Sequence, residues 1–222
     1  MKERIKSFLH GGKKMFLVTV VTLVVCGFLF PLILTGLSAV IFPYQANGSM
    51  IEIDGQIVGA QNVGQEFTED YYMKGRPSAY HYNTYTINEK GEKVYQDGSE
   101  YSGLSSGSNN YAPSNPDLHE RIEQDLEAFL EANPDISIED IPGDLLTASG
   151  SGLDPHISPA SAEVQIPAIS KASGISEEEL KEIVKRNTTG KVLGVFGEET
   201  VNVLGVNIEI AQAMGLIGSE EE

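Results

Sequence analysis

The apolar segment at residues 15–42 constrains this chain more than any other stretch. It contains 28 consecutive residues without Asp, Glu, Lys, Arg or His. As an α-helix it would extend about 42 Å, whereas the hydrocarbon core of a bilayer is about 30 Å thick. Apolar side chains occur all round this helix, which excludes an amphipathic helix lying on a membrane surface. The segment is therefore predicted to span the membrane, with a kink at Pro31, since proline has no backbone N–H.

The flanks of this segment distinguish an anchor from a signal peptide and set its orientation. The apolar run is longer than the 7 to 15 residues of a secretory signal, and Leu37 occupies a cleavage-site position that needs a small residue. Five basic residues precede the segment, and the next one is Lys74: Lys2, Arg4, Lys6, Lys13 and Lys14. By the positive-inside rule, residues 1–14 form a cytoplasmic tail and residues 15–42 a retained single-pass anchor in the cell membrane. Residues 43–222 are then extracytoplasmic.

The charge of residues 43–222 limits the kinds of molecule that this part of the chain can bind. This part carries 31 acidic and 10 basic side chains, a balance of −21. Such a domain repels nucleic acids and anionic headgroups and raises the local concentration of cations, so no nucleic-acid partner is expected. The only cysteine, Cys26, lies within the membrane segment, so the outer part has no disulfide and no thiol ligand or nucleophile.

The first half of the outer part is predicted to contain strands, a loop and one clear helix. Asp54-Gly55 indicates a hairpin turn between strands at 50–53 and 56–60. Residues 79–111 form a Tyr-, Gly- and Ser-rich insertion with a weak hairpin at 82–87 and 93–95. The section from 97 to 110 is predicted as loop. Asn115-Pro116 starts a helix that ends before Pro134, and a buried strand is expected at 141–148.

The second half is predicted to be mainly helical. Ser158-Pro159 opens a helix interrupted near Pro167, and Ser176 with Glu179 forms a capping box for another helix. Short strands follow at 192–196 and 201–203, and an amphipathic helix at 204–214 comes last. The fold class is therefore α+β, with a single N-terminal transmembrane helix followed by one mixed α+β extracytoplasmic domain.

The stretch with the most local chemistry is residues 147–159. Ser151, Asp154 and His156 supply the residue types of a hydrolase triad, but the Gly-x-Ser-x-Gly elbow is absent. Asp154 and His156 alone are two metal ligands without a second cluster, and a phosphate-binding loop of this kind would need a lysine. A structured turn, in which Asp154 caps backbone amides and His156 bonds locally, is the fourth interpretation and the one that the residue chemistry favours.

Several motifs taken together resemble the KdpC family, the C subunit of the bacterial Kdp potassium-transporting ATPase. They lie in order from the membrane segment to about residue 217. Besides residues 147–159 they are Gly75-Arg76-Pro77-Ser78-Ala79, Gly107-Ser108-Asn109, Pro113-Ser114-Asn115-Pro116, Gln165 and Val201-Asn202-Val203-Leu204. Residues 80–104 are longer than the usual connection in this family, and the arginine that often follows Gln165 is absent.

The resemblance implies a non-catalytic subunit of a membrane complex. Its partners would be a KdpA-like potassium-conducting subunit, a KdpB-like ATP-hydrolysing subunit, a KdpF-like small subunit and membrane lipid. ATP and potassium would be handled by the complex, with no cofactor bound by this chain. The family role is described as a catalytic chaperone that raises ATP affinity. The resemblance makes Asp154, His156 and Gln165 candidate binding residues, at an interface or acting on nucleotide affinity, and implies no catalytic or metal-ligating residue.

The predicted orientation limits how such a role could work. An extracytoplasmic domain cannot touch cytoplasmic ATP, so any effect on nucleotide affinity would have to pass through helix packing and conformational coupling. We therefore expect the acidic domain to cap the potassium entrance of the KdpA-like subunit, where its negative field gathers cations. The alternative is a membrane-anchored extracytoplasmic ligand-binding or sensor domain without a pump.

Overall fold

The computed structural model describes residues 2–95 and 98–218, with side chains described from residue 12 onward. The chain divides into two compact units, one ending at Ser49 and the other beginning at Met50. The second unit mixes helices and short antiparallel sheets, which confirms the α+β class.

The first unit is helical. Its elements are α1 (Lys2–Val24), a π-helical segment (Val25–Leu29), α2 (Phe30–Ile41) and α3 (Pro43–Ala46). Within the described residues, Gly12–Ile41 is the one helix long and apolar enough to cross a membrane. Pro31, where a kink is predicted, is the second residue of α2 and follows the π-helical segment closely. There the Phe30 N–H bonds the Val25 carbonyl, five residues back, directly before the residue that has no N–H to donate.

Two hairpins begin the second unit. Strands β1 (Met50–Ile53) and β2 (Gln56–Ala60) pair antiparallel, as predicted, around Asp54 and Gly55, which both have positive φ. The second hairpin, β3 (Thr86–Ile87) with β4 (Lys93–Val94), is shorter than predicted. Residues His81–Asn83 form a 3-10 turn instead of extended strand, because all three have positive φ.

A three-stranded antiparallel sheet lies in the second half of this unit. Its strands are β5 (His156–Ile157), β6 (Thr188–Thr189) and β7 (Thr200–Asn202), in the order β5-β7-β6. Val201 lies opposite Ile157 on one side and Thr188 on the other, so β7 is the central strand. The strand predicted at 201–203 is thus confirmed within one residue.

Three of the five helices described in the second unit begin at predicted caps. They are α4 (Pro116–Ala132), α5 (Pro159–Glu163), α6 (Ile166–Ser173), α7 (Glu177–Arg186) and α8 (Val203–Ala213). The side chains of Asn115, Ser158 and Ser176 each accept a hydrogen bond from a backbone N–H in the first turn of α4, α5 and α7. The predicted break near Pro167 is confirmed as the boundary between α5 and α6.

Two predicted strands are wrong. Residues 141–148 contain a 3-10 turn (Gly143–Leu145) that buries Leu145, and Pro142 directly before it cannot donate to a strand ladder. Residues 192–196 form a tight turn closed by a bridge between Val192 and Phe196, because Leu193 and Gly194 have positive φ.

The core of the second unit is built around α8. This helix, predicted as an amphipathic helix at 204–214, buries six of its eleven residues. Helices α5, α6 and α7 and the central strand β7 supply most of its partners. The core residues are Met73, Ile157, Ala162, Ile166, Ile169, Ile175, Leu180, Ile183, Val201, Val203, Val206 and Ile210. This core holds the loops that carry the sequence motifs.

Candidate functional site

Four loop segments meet in one place, which we call the loop cluster: residues 64–66, 75–83, 105–108 and 147–156. Arg76 connects two of them. Its Nε and Nη2 donate to the Thr147 carbonyl at 3.3 and 3.2 Å, and its Nη1 lies 3.6 Å from Asp154 Oδ2. The guanidinium thus joins the two ends of the small-residue stretch that follows Thr147. The motif around Arg76 and the motif at 147–159 form one structural site.

Ser78 makes a second connection between the same segments. Its Oγ donates to the Gly152 carbonyl at 2.7 Å and accepts from the backbone N–H groups of Tyr80 and Tyr82 at 3.2 Å each. Gly152 packs closely, since a Cβ there would lie 3.2 Å from the Gly107 carbonyl oxygen. The third motif, which begins at Gly107, therefore also belongs to the loop cluster.

Tyr82 fixes the interior of the loop cluster. Its hydroxyl donates to the Arg76 carbonyl at 2.7 Å. Burial, reinforced by the charge of Asp154, raises the pKa of Tyr82 well above its usual range, so the phenol stays a neutral donor. Nearby, the Gly64 N–H donates to the Leu153 carbonyl at 2.9 Å.

Asp154 and His156 form the turn that the residue chemistry favoured. Asp154 Oδ1 accepts from the His156 backbone N–H at 3.0 Å, and His156 Nδ1 lies 3.9 Å from the same oxygen. Ser151 Oγ instead contacts Ser106 Oγ at 3.2 Å and accepts from the Leu153 N–H. Among the residues whose side chains are described, no group of three or more His, Cys, Asp or Glu could hold a metal ion. Both Asp154 and His156 remain partly accessible at the surface of the loop cluster.

Gln165 lies in the interior instead of on a surface. Its side chain is 3% exposed; Oε1 accepts from the Lys74 N–H at 2.8 Å, and Nε2 donates to the carbonyls of Lys74 and Ser161 at 3.2 and 2.9 Å. A second buried amide, Asn207, hydrogen-bonds in the same way to the backbone of Met73, the residue before Lys74. It accepts from the Met73 N–H at 2.8 Å and donates to the Met73 carbonyl at 2.9 Å.

These two amides replace the missing strand partner of residues 73 and 74. Each side chain offers an acceptor and a donor to one residue's backbone, as a neighbouring strand would. Gln165 and Asn207 therefore hold the segment that leads directly into Arg76. The structure brings Asp154 and His156 together in the loop cluster, whereas Gln165 contacts the chain two residues before Arg76.

Asp144 is a structural residue that the sequence analysis missed. Its carboxylate accepts from the Ser158 N–H at 2.7 Å and from the hydroxyls of Ser158 and Ser161. Burial opposes its charge, yet the hydrogen bonds from Ser161 and Ser158 hold the pKa of Asp144 below its usual range. The carboxylate thus stays ionised and fixes the end of the 147–159 motif.

A groove of about 410 Å³ lies beside Gln165, between the end of α4 and the start of α6. Its lining includes Lys74, Asn133, Pro167 and Lys171. The Lys74 ammonium already donates to the carbonyls of Phe67 and Glu69, at 3.0 and 2.7 Å, and burial lowers the pKa of Lys74. The Lys74 ammonium is thus held by backbone carbonyls of its own chain.

Comparison with known proteins identifies the family. A family model described as "KdpC: K+-transporting ATPase, c chain" matches residues 13–212. The chain belongs to the KdpC family. It is 57% identical over 214 residues to the potassium-transporting ATPase KdpC subunit of Clostridium kluyveri, covering 96% of this chain and 99% of that one. The KdpC subunit of Clostridioides difficile is 56% identical over 92% of this chain and 98% of its own length.

Most of the KdpC motifs lie in two places in the second unit. Those beginning at Gly75, Gly107 and Thr147 meet in the loop cluster, and the motif at 201–204 forms the junction of β7 and α8. Sequence reasoning could have found Asn207 as well. It is an amide between the apolar residues Val206 and Ile208 of α8, at a helical position that faces the core.

Proposed function

We propose that this chain is the accessory, non-catalytic KdpC subunit of an ATP-driven potassium uptake complex. The family match over residues 13–212, together with the helix Gly12–Ile41, which is long and apolar enough to span a membrane, carries this proposal. The two relatives named above are both called potassium-transporting ATPase KdpC subunits. The partners that we propose are KdpA-like, KdpB-like and KdpF-like subunits and the membrane lipid around the anchor.

The contacts in the loop cluster support a positioning role for this part of the chain. Arg76, Ser78 and Tyr82 direct their polar groups to backbone carbonyls of the same domain. A network satisfied internally in this way makes the surface rigid instead of offering groups for chemistry. Asp154 and His156 are the partly exposed members of the network, and we propose them as interface residues.

The orientation that we propose follows from the flanking charges. Five basic residues precede the apolar segment at residues 15–42, which supports a position of the second unit on the outer face of the cell membrane. The second unit then cannot contact cytoplasmic ATP. The internal hydrogen bonds of Gln165 agree with this, and we propose that any effect on ATP affinity passes through conformational coupling to the ATP-hydrolysing subunit.

The acidic domain, in this proposal, caps the potassium entrance of the complex. Its balance of −21 produces a negative potential that raises the cation concentration at its surface. Part of this charge lies on α7, where Glu178, Glu179 and Glu182 are exposed to solvent.

Neutralising these three acids tests the proposal on the assembled complex. We expect the triple variant Glu178→Gln, Glu179→Gln, Glu182→Gln to co-purify with its membrane partners and to lower the apparent potassium affinity about twofold at low ionic strength. At high ionic strength the difference should vanish, because salt screens exposed charges. If the wild-type chain purified without an ATP-hydrolysing partner, the accessory role would be contradicted and the sensor alternative favoured. Co-purification with unchanged potassium affinity would contradict cation gathering alone.

A further inference from the structure

The tight turn between β6 and β7 presents an apolar surface to solvent. We call residues 192–196 the apolar tip. Its four large side chains, Val192, Leu193, Val195 and Phe196, are each between 65% and 86% exposed. A single exposed leucine is ordinary, but four large apolar side chains within five residues form a continuous patch. Such a patch is typical of an interaction surface.

The apolar tip is held in one conformation by its own backbone. The Val192 N–H donates to the Phe196 carbonyl at 2.8 Å, and the Phe196 N–H donates back to the Val192 carbonyl at 3.0 Å. The Gly194 N–H also donates to the carbonyl of Lys191, directly before the tip, at 3.0 Å. A preorganised loop loses little conformational entropy on binding, which favours a role in recognition.

Leu193 is an unfavourable residue for its own backbone position. Its φ of 55° lies in the left-handed region, where Gly or Asn would be less strained. Its side chain is 86% exposed, so contacts within the domain do not compensate for this strain. The described part of the domain therefore does not account for a leucine at this position.

We propose that the apolar tip inserts into an apolar pocket on the outer surface of a membrane subunit of the same potassium-transporting complex. The proposal rests on the accessory role proposed above and adds the contact surface. A lipid surface fits less well, because Glu198 and Glu199 follow the tip after Gly197, Lys191 before the tip already pairs with Glu198, and the whole domain is strongly acidic. Anionic headgroups would repel it.

A second copy of this chain fits less well than a membrane subunit. Two domains that each carry a balance of −21 repel one another. Stable interfaces also bury roughly 800 Å² on each partner, more than five residues supply. The tip suits a supplementary contact, because the membrane anchor already holds the chain beside its partners at high effective concentration.

Photo-crosslinking in the assembled complex tests this contact. A photoreactive residue replaces Leu193 in one variant and Leu104, which is 88% exposed, in the matched control. We expect position 193 to crosslink to a membrane subunit of the complex with a yield several-fold above that of position 104. Crosslinks only to lipid, only to another copy of this chain, or equally weak at both positions would overturn the proposal. If the chain failed to co-purify with the complex, the accessory role itself would be contradicted.

A substitution at Leu193 distinguishes loss of the proposed contact from loss of folding stability. Asn tolerates positive φ, so Leu193→Asn should leave the unfolding temperature of the full-length protein unchanged or slightly higher. The same variant should weaken retention of the chain in the detergent-solubilised complex several-fold, whereas Leu104→Asn should not. Full retention of Leu193→Asn would overturn the proposal.

Discussion

Replacing Asn207 with alanine is expected to lower the thermal unfolding midpoint of the full-length protein in detergent by about 6 to 12 °C. Asn207 is 1% exposed and satisfies both the N–H and the carbonyl of Met73, which is itself buried. Removing the amide leaves two buried backbone groups without partners, at a cost of about 1 to 3 kcal/mol each. A loss of about 3 kcal/mol corresponds to this range of temperatures for a domain of this size.

Two further variants are compared with Asn207→Ala, one as a control and one as a second test of the same side chain. Gln124→Ala removes an amide of similar chemistry from the exposed side of α4 and should shift the midpoint by no more than about 1 °C. Asn207→Asp keeps an acceptor for Met73 but loses the donor and buries a carboxylate, so it should be at least as destabilising as alanine. An Asn207→Ala midpoint equal to that of Gln124→Ala would show that this amide does not hold the segment before Arg76.

Replacing Gly64 with alanine is expected to disrupt the loop cluster. A Cβ at this position would lie 2.5 Å from the Tyr82 ring and 2.6 Å from the Asp154 carbonyl oxygen. The second of these atoms belongs to the backbone, so the two segments must separate and the hydrogen bond from Gly64 to Leu153 is lost. Overpacking of this kind costs about 1 to 3 kcal/mol, so we expect a midpoint lower by about 2 to 12 °C.

Gly150→Ala is the matched control for Gly64→Ala. Gly150 belongs to the same loop cluster, but a Cβ there would meet no atom within 4 Å and its φ is not positive. Amide hydrogen exchange at residue 64 should accelerate in the Gly64→Ala protein, and residues 147–156 should lose protection with it. The Gly150→Ala protein should match wild type. Unaltered exchange in both variants would contradict the close packing of Gly64 against Tyr82 and Asp154.

The sequence allowed accurate prediction where a local signal dictates structure. Asp54-Gly55 determines a hairpin turn, and Asn115, Ser158 and Ser176 determine helix starts, because each acts on backbone groups within three residues. The run of apolar residues at 192–196 predicts a strand, and this prediction is wrong. In the structure Leu193 adopts positive φ and the apolar side chains point outward.

The candidate site was harder to predict because its contacts join distant segments. Arg76 contacts Asp154 and also Thr147, which lies 71 residues later in the chain. Gln165 contacts Lys74, which lies 91 residues earlier. No periodicity or motif spacing specifies such pairs. The resemblance to KdpC identified the correct segments, while the interior position of Gln165 became visible only in the fold.

The orientation of the second unit underlies the whole account, and cysteine labelling measures it most directly. In a Cys26→Ala background, Ser99→Cys places the only thiol at an exposed position of the second unit, and Ser7→Cys places it in the basic tail. A membrane-impermeant maleimide applied to intact cells should label position 99 and should label position 7 only after lysis. Labelling of position 99 only after lysis would contradict an extracytoplasmic KdpC domain.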